Sequence, residues 1–150
     1  MPKIGPPPFS ALSAEESTGF LLWQVTALWQ RAIAATLRPY ALTQVQFVLL
    51  AGLLWLSQTE DEITQASLAR HTRLDVMMTS QVLRSLERRG LVRRAAHSSD
   101  SRARRLSLTP KATALVSKAL RAVELRDGEF FSRTRVDPQM LNRILLALIA

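Results

Sequence analysis

The chain has 150 residues, 47% apolar and 21% charged, with a formal net charge of +8; that is one domain of globular character with material for a sizeable core. It holds no cysteine, which excludes disulfides, thiolate nucleophiles, cysteine-ligated zinc and cysteine redox sensing. The charge is focused: residues 81–111 carry nine Lys/Arg against two acids, whereas residues 1–80 net −1 and residues 112–150 net +2, a placement that points to a polyanionic partner.

Residues 1–10 hold four prolines and a glycine, so a flexible lead is expected over residues 1–12. Lys3 is followed by prolines instead of an apolar run, so no secretory signal is read there. Val45–Leu56, the longest apolar-rich stretch, is too short to span a bilayer. A cytoplasmic location with no membrane partner is the resulting expectation.

A first helix is expected from Ser13, with Glu16 completing a capping box, to about Leu37, where Pro39 ends it. Leu21, Val25, Leu28, Ala32 and Ala35 recur at alternating spacings of four and three, a seam for another helix. Trp23 and Trp29 lie off that seam, so more than one face of the helix seeks cover, which points to a subunit interface. Thr43 is the expected N-cap of a second, central helix running to about Gln58, with Phe47 and Trp55 as core residues. After the acidic turn Glu60-Asp61-Glu62, Ile63-Thr64 reads as a short strand, and Gln65–Thr72 as a short helix with Leu68 and Ala69 inward. Arg73-Leu74 is a turn, and Asp75 is the expected N-cap of the helix Val76–Arg89, which Gly90 stops.

A hairpin follows between Gly90 and Thr109, in which Leu106 and Leu108 alternate with Arg105 and Ser107. Thr109-Pro110 starts a long helix to about Arg133, with Leu115, Val116, Ala119, Leu120 and Val123 as its stripe. Asp137-Pro138 starts the last, whose apolar residues are Met140, Leu141, Ile144, Leu145 and Leu148.

Two of these elements carry the chemistry. On the Val76–Arg89 helix, Met78, Val82 and Leu86 are expected to grip the core, while Met77, Ser80, Gln81, Arg84 and Arg88 occupy the opposite face. Gln suits adenine edges, Arg guanine, Ser a base or a phosphate, and Met a thymine methyl. The hairpin adds Arg94, Arg102, Arg104 and Arg105. Arg102 is the candidate for a minor groove, and Arg104 and Arg105 for backbone phosphates. Asp100 is expected to brace Arg94 or Arg104. A helix with a basic outer face beside an arginine-tipped hairpin fits duplex DNA.

The stretches LTQVQFVLL, SLARHTRL, SQVLRSLERRGLVRR and, from Asp100, DSRARRLSLTPK together resemble the MarR family of winged-helix transcriptional regulators over about residues 13–149. The chain departs from the family pattern at Ala112, usually glycine, and Ser80, usually threonine. The resemblance implies a mainly α fold with a small β-hairpin wing. Residues 42–109 would be a winged helix-turn-helix with its wing at 91–108, and residues 13–38 and 110–150 the helical dimerisation region. It further implies a homodimer on a pseudo-palindromic DNA operator, acting most often as a repressor. Asp75–Arg89 would be the recognition helix, Arg102 the wing arginine and Asp100 its supporting acid. Members of the family often release DNA on binding a small aromatic molecule; Trp23, Phe47, Trp55 and Arg73 are the residues such a pocket would draw on here, with core packing the alternative role of the three aromatics.

Other classes find less support. The two histidines, His71 and His97, come with no phosphate loop, nucleophile elbow or paired carboxylates, so no enzyme, cofactor or metal site is expected. A winged helix kept only for protein contacts would favour neutral or acidic recognition residues, and the reverse is present. Oxidation at Met77 or Met78 is a third reading, with ordinary packing as its alternative.

Overall fold

The computed structural model describes Ser10 and residues 13–150; the flexible lead expected at 1–12 otherwise lies outside them. Six α-helices and three strands follow in the order α1 (Thr18–Leu37), α2 (Gln44–Leu56), β1 (Ile63–Thr64), α3 (Gln65–Thr72), α4 (Val76–Arg88), β2 (Val92–Ala96), β3 (Arg104–Leu108), α5 (Pro110–Phe131) and α6 (Pro138–Ile149). The sheet is antiparallel with β3 in the middle: Ile63 faces Leu106, and Arg94 faces Leu106 from the other side. The mainly α architecture with a hairpin wing is as the sequence implied.

Local chemistry explains most boundaries. Thr43 and Gln46 form a reciprocal capping box at the start of α2, and Thr64 and Ser67 form a second at α3. Asp75 caps α4, Thr109 caps α5 and Asp137 caps α6. The N-terminal cap differs from expectation. Ser13 makes no capping bond; Ala14–Glu16 is a single 3₁₀ turn, and Ser17 caps α1 by accepting from the Phe20 N–H. The expected ends at Gln58, Arg89 and Arg133 each shorten by one or two residues, within ordinary fraying.

One core joins Ile33 and Leu37 of α1, Leu49, Leu50 and Leu53 of α2, Leu68 of α3, Leu83 and Leu86 of α4, Leu91, Val92, Leu106, and Val116 and Ala119 of α5. At Gly52 a Cβ would meet Leu68 Cδ1 and Thr72 Cγ2 at 3.1 Å, so glycine is what lets α2 and α3 approach closely. Two expected core residues are not there. Trp55 is 67% exposed, on the wall of an open cleft between α2, α3 and α5. Met78 is 45% exposed; its place is taken by Thr79, fully buried with its hydroxyl donating to the Asp75 carbonyl. A threonine whose only polar atom is satisfied within its own helix costs little to bury.

The terminal helices are packed on one side only. α1 buries Ile33 and Leu37 and is pinned to α5 by Trp29 Nε1 donating to Asp127 Oδ1 at 2.8 Å. Phe20, Leu21, Leu22, Trp23, Val25 and Leu28 remain exposed, and α6 has no buried residue at all. Among the described residues, no single helix is long and apolar enough to cross a membrane.

Candidate nucleic-acid interface

α4 presents its two faces cleanly. At about 100° per residue, Thr79, Leu83 and Leu86 share one side, and all three are buried. Met77, Gln81, Arg84 and Arg88 point the other way and are exposed, with Ser80 half-buried at the flank. The capping bond from Met78 N–H to Asp75 Oδ1 (3.0 Å) occupies one N-terminal donor. The remaining free N–H groups of that turn can meet a phosphate.

The stop of α4 fixes the wing. Gly90 adopts φ +69°, which a side chain would strain, and Leu91 N–H returns to the Leu86 carbonyl at 2.9 Å. Thr109 then acts twice. Its hydroxyl donates to the Gly90 carbonyl at 2.8 Å and accepts from Ala112 N–H at 3.2 Å. The end of α4, the base of the hairpin and the start of α5 are thus joined at one residue.

Within the wing the arginines divide. Arg94 lies on the inner face opposite Leu106, its Nε 3.2 Å from Glu87 Oε2 of α4 and its Nη2 buried without a hydrogen-bond partner. It braces wing against helix, and Glu87, not Asp100, is its partner. Arg105 is half-exposed and 3.9 Å from Glu62. Arg102 and Arg104 are exposed, and among the described residues neither they nor Arg84 and Arg88 enter an ion pair. Asp100 braces neither Arg94 nor Arg104. Its Oδ1 accepts the Arg102 backbone N–H at 2.9 Å, and its carbonyl accepts Ala103 N–H. A carboxylate two residues ahead of an N–H closes the tip's own turn, so its neighbour in sequence outcompetes the guanidinium groups.

Sequence reasoning missed Glu62. This residue of the acidic turn before β1 accepts from Ser98 Oγ (2.6 Å) and from Ser98 N–H, and its carboxylate lies 3.1 Å from His97 Nε2. Its pKa is held below its ordinary value, chiefly by the Ser98 hydroxyl, with the Ser98 N–H, His97 and Arg105 adding to that against a partial opposing cost of desolvation. The pairing of β1 with β3 brings these groups together across 36 residues.

A cleft of about 630 Å³ opens between α2, α3 and α5, lined by Phe47, Trp55, Gln58, His71, Leu120 and Glu124 among others. Of the four residues expected to line a pocket, it takes Phe47 and Trp55. Trp23 stands exposed on α1. Arg73 caps α3 in the left-handed region and donates to the Ile149 carbonyl.

A capped short helix, a turn, a second helix with an exposed basic face and a hairpin hinged to its end define a winged helix-turn-helix. The MarR family model matches residues 42–104. The chain is 40% identical over 77% of its length to an uncharacterized HTH-type transcriptional regulator, YdcH of Bacillus subtilis, covering 79% of that protein. It is 33% identical over 85% of its length to the HTH-type transcriptional repressor Rv2887 of Mycobacterium tuberculosis, covering 89% of it. The structure of Rv2887 complexed with p-aminosalicylic acid superposes with a TM-score of 0.66, over 89% of this chain and all but 1% of that one, at 31% identity. A mutant MarR from Escherichia coli complexed with operator DNA gives a TM-score of 0.79 over 94% and 100% of the two chains, at 21% identity. The chain belongs to the MarR family and is a transcriptional regulator by that membership.

Proposed function

We propose that this chain is a repressor that acts as a homodimer on a pseudo-palindromic operator in duplex DNA. It works in the cytoplasm, without enzymatic activity or a cofactor. In this reading Met77, Ser80, Gln81 and Arg84 of α4 meet base edges in the major groove. Arg88, Arg104 and Arg105 hold phosphates, Arg102 enters the neighbouring minor groove, and Asp100 and Arg94 shape and brace the wing. The observation that carries the reading is the exposed guanidinium groups of Arg84 and Arg88 on α4 and of Arg102 and Arg104 on the wing, which have no acidic partner among the described residues. The bare apolar faces of α1 and α6 support the dimer, which would set two recognition helices about 34–36 Å apart, one turn of DNA.

Selection of bound sequences from a random duplex pool tests this. Enrichment of inverted repeats, bound with steep salt dependence, is expected as condensed counterions are released; no enrichment overturns the reading. Against the selected operator, Arg84→Ala should cost about 1–3 kcal/mol and relax preference at one base pair. Arg102→Ala should weaken binding mainly at the flanking A·T-rich positions. Both variants should remain folded dimers by circular dichroism and sedimentation, and unchanged binding in both removes these residues from the interface.

We further propose that a small aromatic molecule bound in the cleft at Phe47 and Trp55 releases the operator. p-Aminosalicylate, the compound in the Rv2887 complex, is the first probe. Quenching of Trp55 fluorescence together with weaker operator binding is expected, and both effects should be lost in Trp55→Leu.

A further inference from the structure

The tip of the wing is held by a chain of contacts that starts outside the wing. Glu62 sits in the loop before β1, its side chain largely shielded from solvent. Its carboxylate lies 3.1 Å from His97 Nε2 and accepts the hydroxyl and N–H of Ser98. The far side of the same imidazole faces the tip: His97 Nδ1 accepts the backbone N–H groups of Ser99 and Asp100, each at 3.2 Å. Asp100 in turn accepts the Arg102 N–H through Oδ1, and the Ala103 N–H through its carbonyl. Two N–H donors converging on Nδ1 require a lone pair there, so in the neutral ring the proton belongs on Nε2, the nitrogen that lies beside the carboxylate. One ring therefore joins a loop of the helical body to the turn that presents Arg102. None of these contacts uses the Arg102 guanidinium, which stays exposed.

We infer that Glu62 and His97 are positioning residues for DNA: they form a strut that sets where Arg102 stands relative to the recognition helix. The inference rests on the proposed reading of Arg102 as a minor-groove side chain. A two-stranded hairpin with a seven-residue tip, from His97 to Ala103, has little of its own to fix the tip's angle. The base is fixed by Thr109, and the middle of the strands by the Arg94–Glu87 pair and by the pairing of β1 with β3, but none of these reaches the tip. Glu62 supplies the attachment at the tip itself, which fixes the direction in which the turn leaves the sheet. Arg104 and Arg105 share this end of the sheet, so without the strut their mutual repulsion would also act on the tip.

The test has one arm that needs no DNA and one that does. In the wild-type protein, nitrogen-15 shifts of the His97 ring should report the Nε2–H tautomer, and the amides of Ser99, Asp100 and Arg102 should exchange slowly. Glu62→Ala and His97→Ala should each speed that exchange about tenfold or more. His97→Asn, whose Oδ1 can still accept a turn N–H, should restore slow exchange at Ser99 without restoring the tie to Glu62. An Nδ1–H tautomer, or slow exchange at Arg102 in both alanine variants, overturns the strut.

On an operator recovered by selection, Glu62→Ala and His97→Ala should each lower affinity several-fold, with protection lost only at the flanking minor groove. In an Arg102→Ala background neither should lower it further, because a positioning residue has nothing left to position. Full additivity with Arg102→Ala overturns the inference while leaving DNA binding intact. If no duplex is bound by the wild-type protein, it is the proposed function that fails, and the exchange and tautomer results still decide whether the strut exists.

Discussion

Residues 42–109 and the two ends of the chain solve the folding problem differently. In the winged-helix body each helix start is capped, Leu50, Leu68, Leu83 and Leu86 are fully buried, and the hairpin is anchored at base and tip. α1 and α6 have good caps and strong apolar stripes but leave those stripes bare. A contiguous exposed stripe of this kind marks an interface awaiting its other half. The body presents charge over a buried core, whereas the ends carry exposed apolar faces that, in the proposed dimer, a second subunit completes. Rigid presentation and paired presentation are separate requirements for reading a two-fold DNA site, and the chain assigns them to separate stretches.

The strongest way to break this contrast is to charge the bare face. Ile144→Asp with Leu148→Asp removes no core contact, since α6 buries nothing within the subunit. Sedimentation should then show a folded monomer, and operator affinity should fall by about 10²–10⁴ as the second half-site loses its effective concentration. A dimer that survives would place the interface elsewhere. Next in size is Leu83→Ala, which cuts into the body at a fully buried position. Its expected cost is about 2–5 kcal/mol in thermal or urea unfolding, with the dimer interface untouched. Equal loss of helix signal in both experiments would mean that body and ends do not fold as distinct units.

How legible each part was in the sequence follows from the range of the interactions that shape it. Caps are local, so Thr43, Asp75, Gly90, Thr109-Pro110 and Asp137-Pro138 could be read from residues a few positions apart. On α1 the periodicity picked Leu21, Val25 and Leu28, which stand exposed, and passed over Ile33 and Leu37, the residues the helix buries. The inner face of α4 was read one step out of phase. Counting apolar residues chose Met78 and passed over Thr79, since composition cannot show that the Asp75 carbonyl satisfies that hydroxyl. Trp55 was misplaced for a related reason: a helix apolar on nearly every side gives no signal for which side is outward. The wing arginines were legible as charge. Their partners were not, because Glu87 and Glu62 reach them only through strand register and the meeting of α4 with β2.

The smallest expected effect probes the tip of the wing, which is held by charge and hydrogen bonds instead of burial. Glu62 has a pKa lowered in the folded protein, first by the Ser98 hydroxyl. A carboxylate of that kind stabilises the fold at every pH above its unfolded value, and the contribution is lost as pH falls through the folded value. The window therefore lies below about pH 4.3, the ordinary glutamate value. In wild-type protein the Ser98 amide and the wing-tip resonances should shift in that window before the helices melt. Glu62→Gln should abolish the step while leaving the unfolding of α2, α4 and α5 unchanged, because no buried side chain of the core touches the carboxylate's job. Coincident loss of wing and helices would show that the tip is continuous with the core after all, and that the body is a single cooperative block whose wing has no separate hold.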